Sequence, residues 1–192
     1  MIKIGVLSSY NGSGFIALNK ACESGYINAE VVVVISNNTN ANVLVSAQNN
    51  NINNYCINAK NYPNDDVDLK ILEVLKEHQC DYVFLSGYMK KINPSLIEAY
   101  PEKIVNCHPA LLPNFGGRGM YGRFVHEAVV KEKATKTGVT VHFVNENYDE
   151  GKHILQKEID VSPTESVDSV ENRVKEIETT TIVEAFKKLI KD

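Results

Sequence analysis

The run Val31-Val32-Val33-Val34-Ile35 constrains this chain more than any other stretch. Five consecutive β-branched residues disfavour a helix and leave no polar side for solvent, so the segment reads as a strand covered on both faces. Such a strand belongs to a parallel sheet with helical crossovers, and the flanking sequence supplies them. Ile2 to Leu7 is an apolar strand running into Ser8-Ser9-Tyr10-Asn11-Gly12-Ser13-Gly14, with a helix expected from Phe15 to about Ser24. A helical segment near Val43 to Asn50, a short strand at Tyr55 to Ile57, a helix from about Asp65 to His78 and a strand at Tyr82 to Leu85 continue the alternation. The pattern predicts an α/β fold with a doubly wound, mostly parallel, Rossmann-like sheet.

The segment Ile104 to Pro113 ends an apolar run in a polar pair. Side chains alternate along a strand, so Asn106 and His108 share one face and Val105 and Cys107 the other. A lone His at a strand end is ordinarily a hydrogen-bonded structural residue. Here it is paired with an amide two residues away and followed by Pro109, Pro113 and Gly116-Gly117-Arg118-Gly119, a long irregular loop of the kind that carries function. A double hydrogen-bond donor beside an imidazole that can move a proton suits acyl transfer. Beyond a helix at Tyr121 to Lys133, Gly138 to Val144 alternates, with Val139, Val141 and Phe143 on one face and Thr140 and His142 on the other. It leads into the acidic turn Asn145 to Gly151. A strand from His153 to Val161 and a helix from about Val167 to Ile190 close the pattern.

A formal charge of −4 leaves no global basic surface and disfavours an electrostatic nucleic-acid binder, so the expected partner is a small molecule. Cys22, Cys56, Cys80 and Cys107 are scattered without a CxxC pair, which fits free thiols in a reducing compartment. No metal set can be assembled from the His, Cys and acidic spacing. The N-terminal apolar stretch is too short for a signal peptide and no run approaches the roughly 18 apolar residues of a membrane span, so a cytoplasmic protein is expected. The asparagine-rich stretch from Asn37 to Asn64 reads as compositional bias on exposed positions, because Val43, Leu44, Val45, Ile52 and Ile57 are interspersed.

Gly12, Gly14 and Ala17 match G-x-G-x-x-A between a strand and a helix, a permitted form of the dinucleotide fingerprint. That reading asks for an acid about 20 residues on. The second strand ends instead in Ser36-Asn37-Asn38. The simpler reading is a phosphate cradle built from backbone N–H groups and a helix N-terminus, with Ser13 adding a hydroxyl. A third is a turn that merely closes strand onto helix.

Taken together, N-x-H-P-x-L-L-P at Asn106 to Pro113, the strand Thr140-Val141-His142-Phe143-Val144 and the D-x-G of Asp149 and Gly151 resemble the phosphoribosylglycinamide formyltransferases, folate-dependent enzymes of purine synthesis. Gly87-Tyr88-Met89 resembles the family's G-[FY]-M segment. The resemblance covers nearly the whole chain. It implies a single formyltransferase domain over residues 1–192, with a phosphate-binding half at 1–100 and a catalytic half at 101–192 closed by the C-terminal helix. It further implies formyl transfer from 10-formyltetrahydrofolate, as co-substrate and without a metal, to the amine of N1-(5-phosphoribosyl)glycinamide. The implied catalytic trio is Asn106, His108 and Asp149, with His142 and Thr140 in support. Gly12, Ser13 and Gly14 with Lys175 and Glu178 would contact the phosphoribosyl substrate, and Met89, Lys90, Lys91, Ile92 and Asn106 the folate. Gly14 stands where the family carries Asn, and Lys90 where it carries Arg. A homodimer is admissible. Alternatives are another formyltransferase or a hydrolase using the same folate, and a dinucleotide-binding module. The chain starts in its first strand and stops after one closing helix, whereas methionyl-tRNA formyltransferases and formyltetrahydrofolate hydrolases carry further domains.

Overall fold

Strand and helix alternate through residues 1–190, which this computed structural model describes. The order is β1 (Ile2–Leu7), α1 (Ser13–Glu23), β2 (Ala29–Ser36), α2 (Asn42–Asn49), β3 (Asn53–Cys56), α3 (Val67–Glu77), β4 (Tyr82–Leu85), α4 (Pro94–Ala99), β5 (Ile104–His108), α5 (Arg123–Lys131), β6 (Lys136–Phe143), β7 (His153–Asp160) and α6 (Val167–Leu189). Seven strands form one sheet in the order β3-β2-β1-β4-β5-β6-β7. β1 pairs in parallel with β2 and β4, and β2 with β3, whereas β6 and β7 run antiparallel. This is the expected α/β, mostly parallel fold. Val33, Val34 and Ile35 are fully buried, as a β-branched run covered on both sides requires.

The chain packs as two compact units, Met1–Val105 with Ile190, and Asn106–Leu189. In the first, α1 and α2 lie against β2, and Ile4, Val6, Phe15, Leu18, Phe84 and Ile35 are buried to exclusion of water. Strand order reverses between β1 and β4, the switch point at whose strand exits ligands of doubly wound sheets bind. Those exits carry Ser8 to Gly14 and Ser86 to Ile92. In the second unit α6 packs on β6, β7 and α5, around Val129, Val139, Val141, Val174, Ile182 and Phe186.

Several boundaries differ from expectation for local reasons. Helix α1 starts at Ser13 because Gly12, at φ 66°, turns the chain immediately before it. A Cβ on Gly12 would also lie 2.4 Å from Val43 Cγ2. Strand β3 begins at Asn53, since the ladder Val33↔Asn53 to Ser36↔Cys56 fixes it despite the low strand propensity of asparagine. Helix α4 adds an element that the sequence pattern lacks. Asn93 caps it by accepting the Ser95 N–H at 3.0 Å, and Pro94 opens its first turn.

Candidate active site

At the exit of β5, His108 is 4 % exposed and spends both ring nitrogens inside the protein. Its Nε2 lies 2.7 Å from the carbonyl oxygen of Phe115, which can only accept, so Nε2 carries the proton of the neutral ring. Its Nδ1 faces Asp149 Oδ2 at 3.6 Å. His142, 2 % exposed on β6, is arranged in the same way. Nδ1–H donates to the Phe143 carbonyl at 2.8 Å, while Nε2 accepts from Asn106 Nδ2 at 3.3 Å and stands 3.6 Å from Asp149 Oδ1. The β6–β7 register shifts between Val141 and His142, next to this ring. The face expected to be polar on β6 is therefore buried, with Thr140 and His142 both paired.

Asp149 is set between the two rings by backbone devices. It has φ 58°, a conformation that Asp tolerates better than most residues. Its Oδ2 accepts the Gly117 N–H at 2.9 Å. Two residues on, a Cβ at Gly151 would fall 1.6 Å from the Phe143 carbonyl oxygen, so only glycine closes this turn onto β6. The D-x-G spacing thus has a steric cause.

The electrostatics follow from this burial. Burial pushes the His108 imidazole down from its ordinary 6.5, and the Asp149 charge and the Phe115 carbonyl only partly oppose it. Burial alone would raise the Asp149 carboxyl, yet His142, His108 and the Gly117 N–H together bring it below its ordinary value. A neutral imidazole beside a carboxylate is the resting pair.

The loop after β5 is anchored by Thr140, which is fully buried. Its hydroxyl donates to the Ala110 carbonyl at 2.7 Å and accepts from the Leu112 N–H at 3.1 Å and from Gln156 Nε2 at 2.8 Å. Gln156 Nε2 also donates to the Leu112 carbonyl at 2.9 Å. On α6, Lys175 pairs with Glu171 at 2.6 Å, and Arg123 of α5 reaches the same carboxylate at 3.0 Å. Burial raises the Glu178 carboxyl, opposed by the thiol of Cys107 and by Lys175. Cys107, expected to lie on the apolar face of its strand, therefore meets a carboxyl group. His126 of α5 is 3 % exposed, and burial lowers its pKa.

The first unit holds the other sequence-derived candidates. Of the first N–H groups of α1, Ile16 donates to Gly12 O at 3.0 Å and Phe15 to Ser86 Oγ at 3.0 Å. Among the described residues no protein acceptor takes those of Ser13 and Gly14, which are the groups a phosphate cradle needs. Met89 is 42 % exposed, Lys90 and Lys91 are exposed, and Ile92 packs inward at 8 %. The Met89 N–H donates to Ser9 Oγ at 2.8 Å, and the Ser9 N–H to Gly87 O at 3.1 Å.

Asn106, His108, His142 and Asp149 thus form one cluster, with Thr140 behind its loop. Lys175 and Glu178 share one helix, the first against Glu171 and the second against Cys107. Gly12 to Gly14 and Met89 to Ile92 are joined through Ser9 and Ser86. The sequence reading missed Ser86, Gln156 and the Phe115 carbonyl; Ser86 alone carried a signal, as a hydroxyl at a strand exit directly before Gly87. Among the described residues no group of three or more His, Cys, Asp or Glu could hold a metal ion, and no helix is long and apolar enough to cross a membrane.

Comparison with known proteins bears on this arrangement. A family model described as formyl transferase matches residues 2–186. The phosphoribosylglycinamide formyltransferase of Haemophilus influenzae is 36 % identical over 179 residues, which are 93 % of this chain and 82 % of that protein. The chloroplastic phosphoribosylglycinamide formyltransferase of Arabidopsis thaliana is 36 % identical over 174 residues, 90 % of this chain; the chain spans only 60 % of that relative's length. The crystal structure of glycinamide ribonucleotide transformylase 1 from Geobacillus kaustophilus superposes with TM-score 0.91 at 32 % identity, covering 100 % of both chains. The chain belongs to the formyl transferase family, among its phosphoribosylglycinamide formyltransferases.

Proposed function

We propose that this protein transfers the formyl group of 10-formyltetrahydrofolate to the amine of N1-(5-phosphoribosyl)glycinamide in purine biosynthesis. The observation that carries the reading is the carboxylate of Asp149 held 3.6 Å from each of two buried imidazoles, His108 and His142, with the Asn106 amide on the second. In this reaction the acceptor amine attacks the formyl carbon, the carbon–nitrogen bond to the folate breaks, and the proton shed by the amine ends on the departing folate nitrogen. Asn106 uses one amide N–H on His142 and has the other for the formyl oxygen as it turns negative. His108 supplies a second donor once it is protonated at Nδ1, its Nε2–H staying on the Phe115 carbonyl. A preorganised donor of this kind is worth about 3 kcal/mol of barrier. Neutral His108 takes up the amine proton, Asp149 stabilises the imidazolium so formed, and His142 and Thr140 hold Asn106 and the loop in place.

Gly12, Ser13 and Gly14 bind the substrate phosphate through backbone N–H groups, and Lys175 and Glu178 contact its phosphoribosyl part. Met89, Lys90 and Lys91 meet the folate through side chain and backbone, as does Asn106, while buried Ile92 anchors the segment. Residues 1–100 act as the phosphate-binding half and 101–192 as the catalytic half of one domain. The proton chemistry asks for no metal. The reading includes a cytoplasmic location and small-molecule substrates, with neither nucleic acid nor membrane as a partner, and it admits a homodimer.

The test is to incubate the protein with 10-formyltetrahydrofolate and follow deformylated folate by absorbance, with and without N1-(5-phosphoribosyl)glycinamide. Signal only with the acceptor is expected; signal without it selects a hydrolase, and none in either case refutes the reading. His108→Ala is expected to lower kcat about a thousandfold with little change in acceptor affinity, and intact turnover removes His108 from the mechanism.

A further inference from the structure

Ser9, two residues past the end of β1, is 0 % exposed, so no ligand touches it. Every hydrogen-bonding group it has is nevertheless taken. Its N–H donates to the Gly87 carbonyl at 3.1 Å and its carbonyl accepts from Asn38 Nδ2 at 2.6 Å. Its hydroxyl donates to Asn37 Oδ1 at 2.6 Å and accepts the Met89 N–H at 2.8 Å. Asn37 and Asn38 follow β2, and Gly87 and Met89 follow β4. The same β4 exit holds the start of α1 through Ser86 Oγ and the Phe15 N–H, at 3.0 Å.

An ordinary buried serine satisfies a neighbouring turn. Ser9 instead ties together the exits of three strands, and the two segments it joins are those assigned above to different substrates. We infer that Ser9 is a positioning residue for both: its hydroxyl sets the glycine loop that follows it against the Gly87–Met89 turn, so acceptor and folate affinity depend on one side chain that meets neither. The inference rests on the proposed roles of Gly12 to Gly14 and Met89 to Ile92. Removing the hydroxyl strands the Met89 N–H and frees the turn, whereas the chemistry at His108 does not involve it.

Steady-state kinetics with both substrates varied test this on Ser9→Ala. The KM of each substrate is expected to rise about tenfold, the scale of one ordered hydrogen bond. kcat is expected to stay within about twofold and the pH profile to keep its shape, since binding and not chemistry is lost. Asn37→Ala removes the acceptor of the same hydroxyl and should move both KM values in the same direction, while Asn37→Asp, which keeps an oxygen there, should restore them. Unchanged KM values in a folded Ser9→Ala protein, or a fall in kcat alone, overturn the inference. Should that variant fail to fold, wild-type KM values in Asn37→Ala overturn it. Wild-type protein without formyl transfer refutes the proposed function instead; titration of inorganic phosphate into wild type and Ser9→Ala then decides, equal affinities counting against Ser9.

Discussion

Replacing Thr140 by Val removes one hydroxyl from a site where the shape of the side chain is otherwise kept. Two buried backbone groups lose their partner: the Leu112 N–H, 3.1 Å from Thr140 Oγ1, and the Ala110 carbonyl, 2.7 Å from it. Ala110 is 0 % and Leu112 4 % exposed, so water cannot replace the hydroxyl. Gln156 Nε2 keeps its bond to the Leu112 carbonyl at 2.9 Å and is not stranded. Two orphaned groups cost about 1–3 kcal/mol each. A newly buried methyl returns about 1 kcal/mol. The expected loss is therefore roughly 3 kcal/mol, which lowers the urea midpoint by about 1.5 M at a slope near 2 kcal/mol/M, with the slope unchanged. Thr140→Ser keeps the hydroxyl and should lose only about 1 kcal/mol for the missing methyl. Because the Phe115 carbonyl that holds His108 lies on the same loop, Thr140→Val should also reduce kcat more than it raises KM. Equal midpoints for the Val and Ser variants would refute the claim that this hydroxyl anchors the loop.

Other expected outcomes follow from the same geometry. The acid limb of the activity profile should lie below the ordinary imidazole value of 6.5 and move further down in Asp149→Asn, because burial lowers His108 and the Asp149 charge is what opposes it; a profile that stays in place counts against this coupling. Gly151→Ala would set a Cβ 1.6 Å from the Phe143 carbonyl oxygen, and since backbone must move, a loss of about 3 kcal/mol or failure to fold is expected in a thermal melt. Stability should be full above the ordinary imidazole range and decline as pH falls through the depressed folded values of His108 and His126, because the unfolded chain then binds more protons. His126→Leu removes one of these groups, whose Nδ1 has no partner among the described residues, so urea midpoints at pH 7 and pH 5 should differ less than in wild type; an equal drop in both proteins would exclude this origin.

What was legible in the sequence followed from periodicity. Period-two alternation located β5 and β6 and put Asn106 with His108, and an unbroken β-branched run identified β2 as an interior strand. Where structure departs from sequence pattern, tertiary contacts override local preference. Two glycines at Gly12 and Gly14 look like loop, yet the first serves as a left-handed cap and the second lies inside the helix. Asn53 and Asn54 are poor strand formers held by the β2 ladder. The α4 signal is confined to Asn93-Pro94, a cap followed by a first-turn proline, because a six-residue helix is too short to show a period. The groups that orient His108 and Asp149 were not legible at all, because they are main-chain atoms, the Phe115 carbonyl and the Gly117 N–H, and main-chain atoms leave no residue-type signature.

The two imidazoles have a common logic that none of the side chains reveals singly. Each gives its only N–H to a backbone carbonyl, Phe115 for His108 and Phe143 for His142, and so turns an unprotonated nitrogen toward Asp149. In that state neither ring donates to the carboxylate, which keeps one strong donor, the Gly117 N–H. A proton arriving at His108 Nδ1 therefore converts two facing acceptors into a charge-assisted pair, and it is the carboxylate, not the solvent, that stabilises the result. Burial holds the ring neutral until then, and the backbone carbonyl fixes which nitrogen is free. In the proposed reaction the acceptor amine must lose a proton as it attacks, so a neutral, oriented imidazole backed by a carboxylate is the arrangement that step requires, and Asp149→Asn leaves the orientation while removing the backing charge.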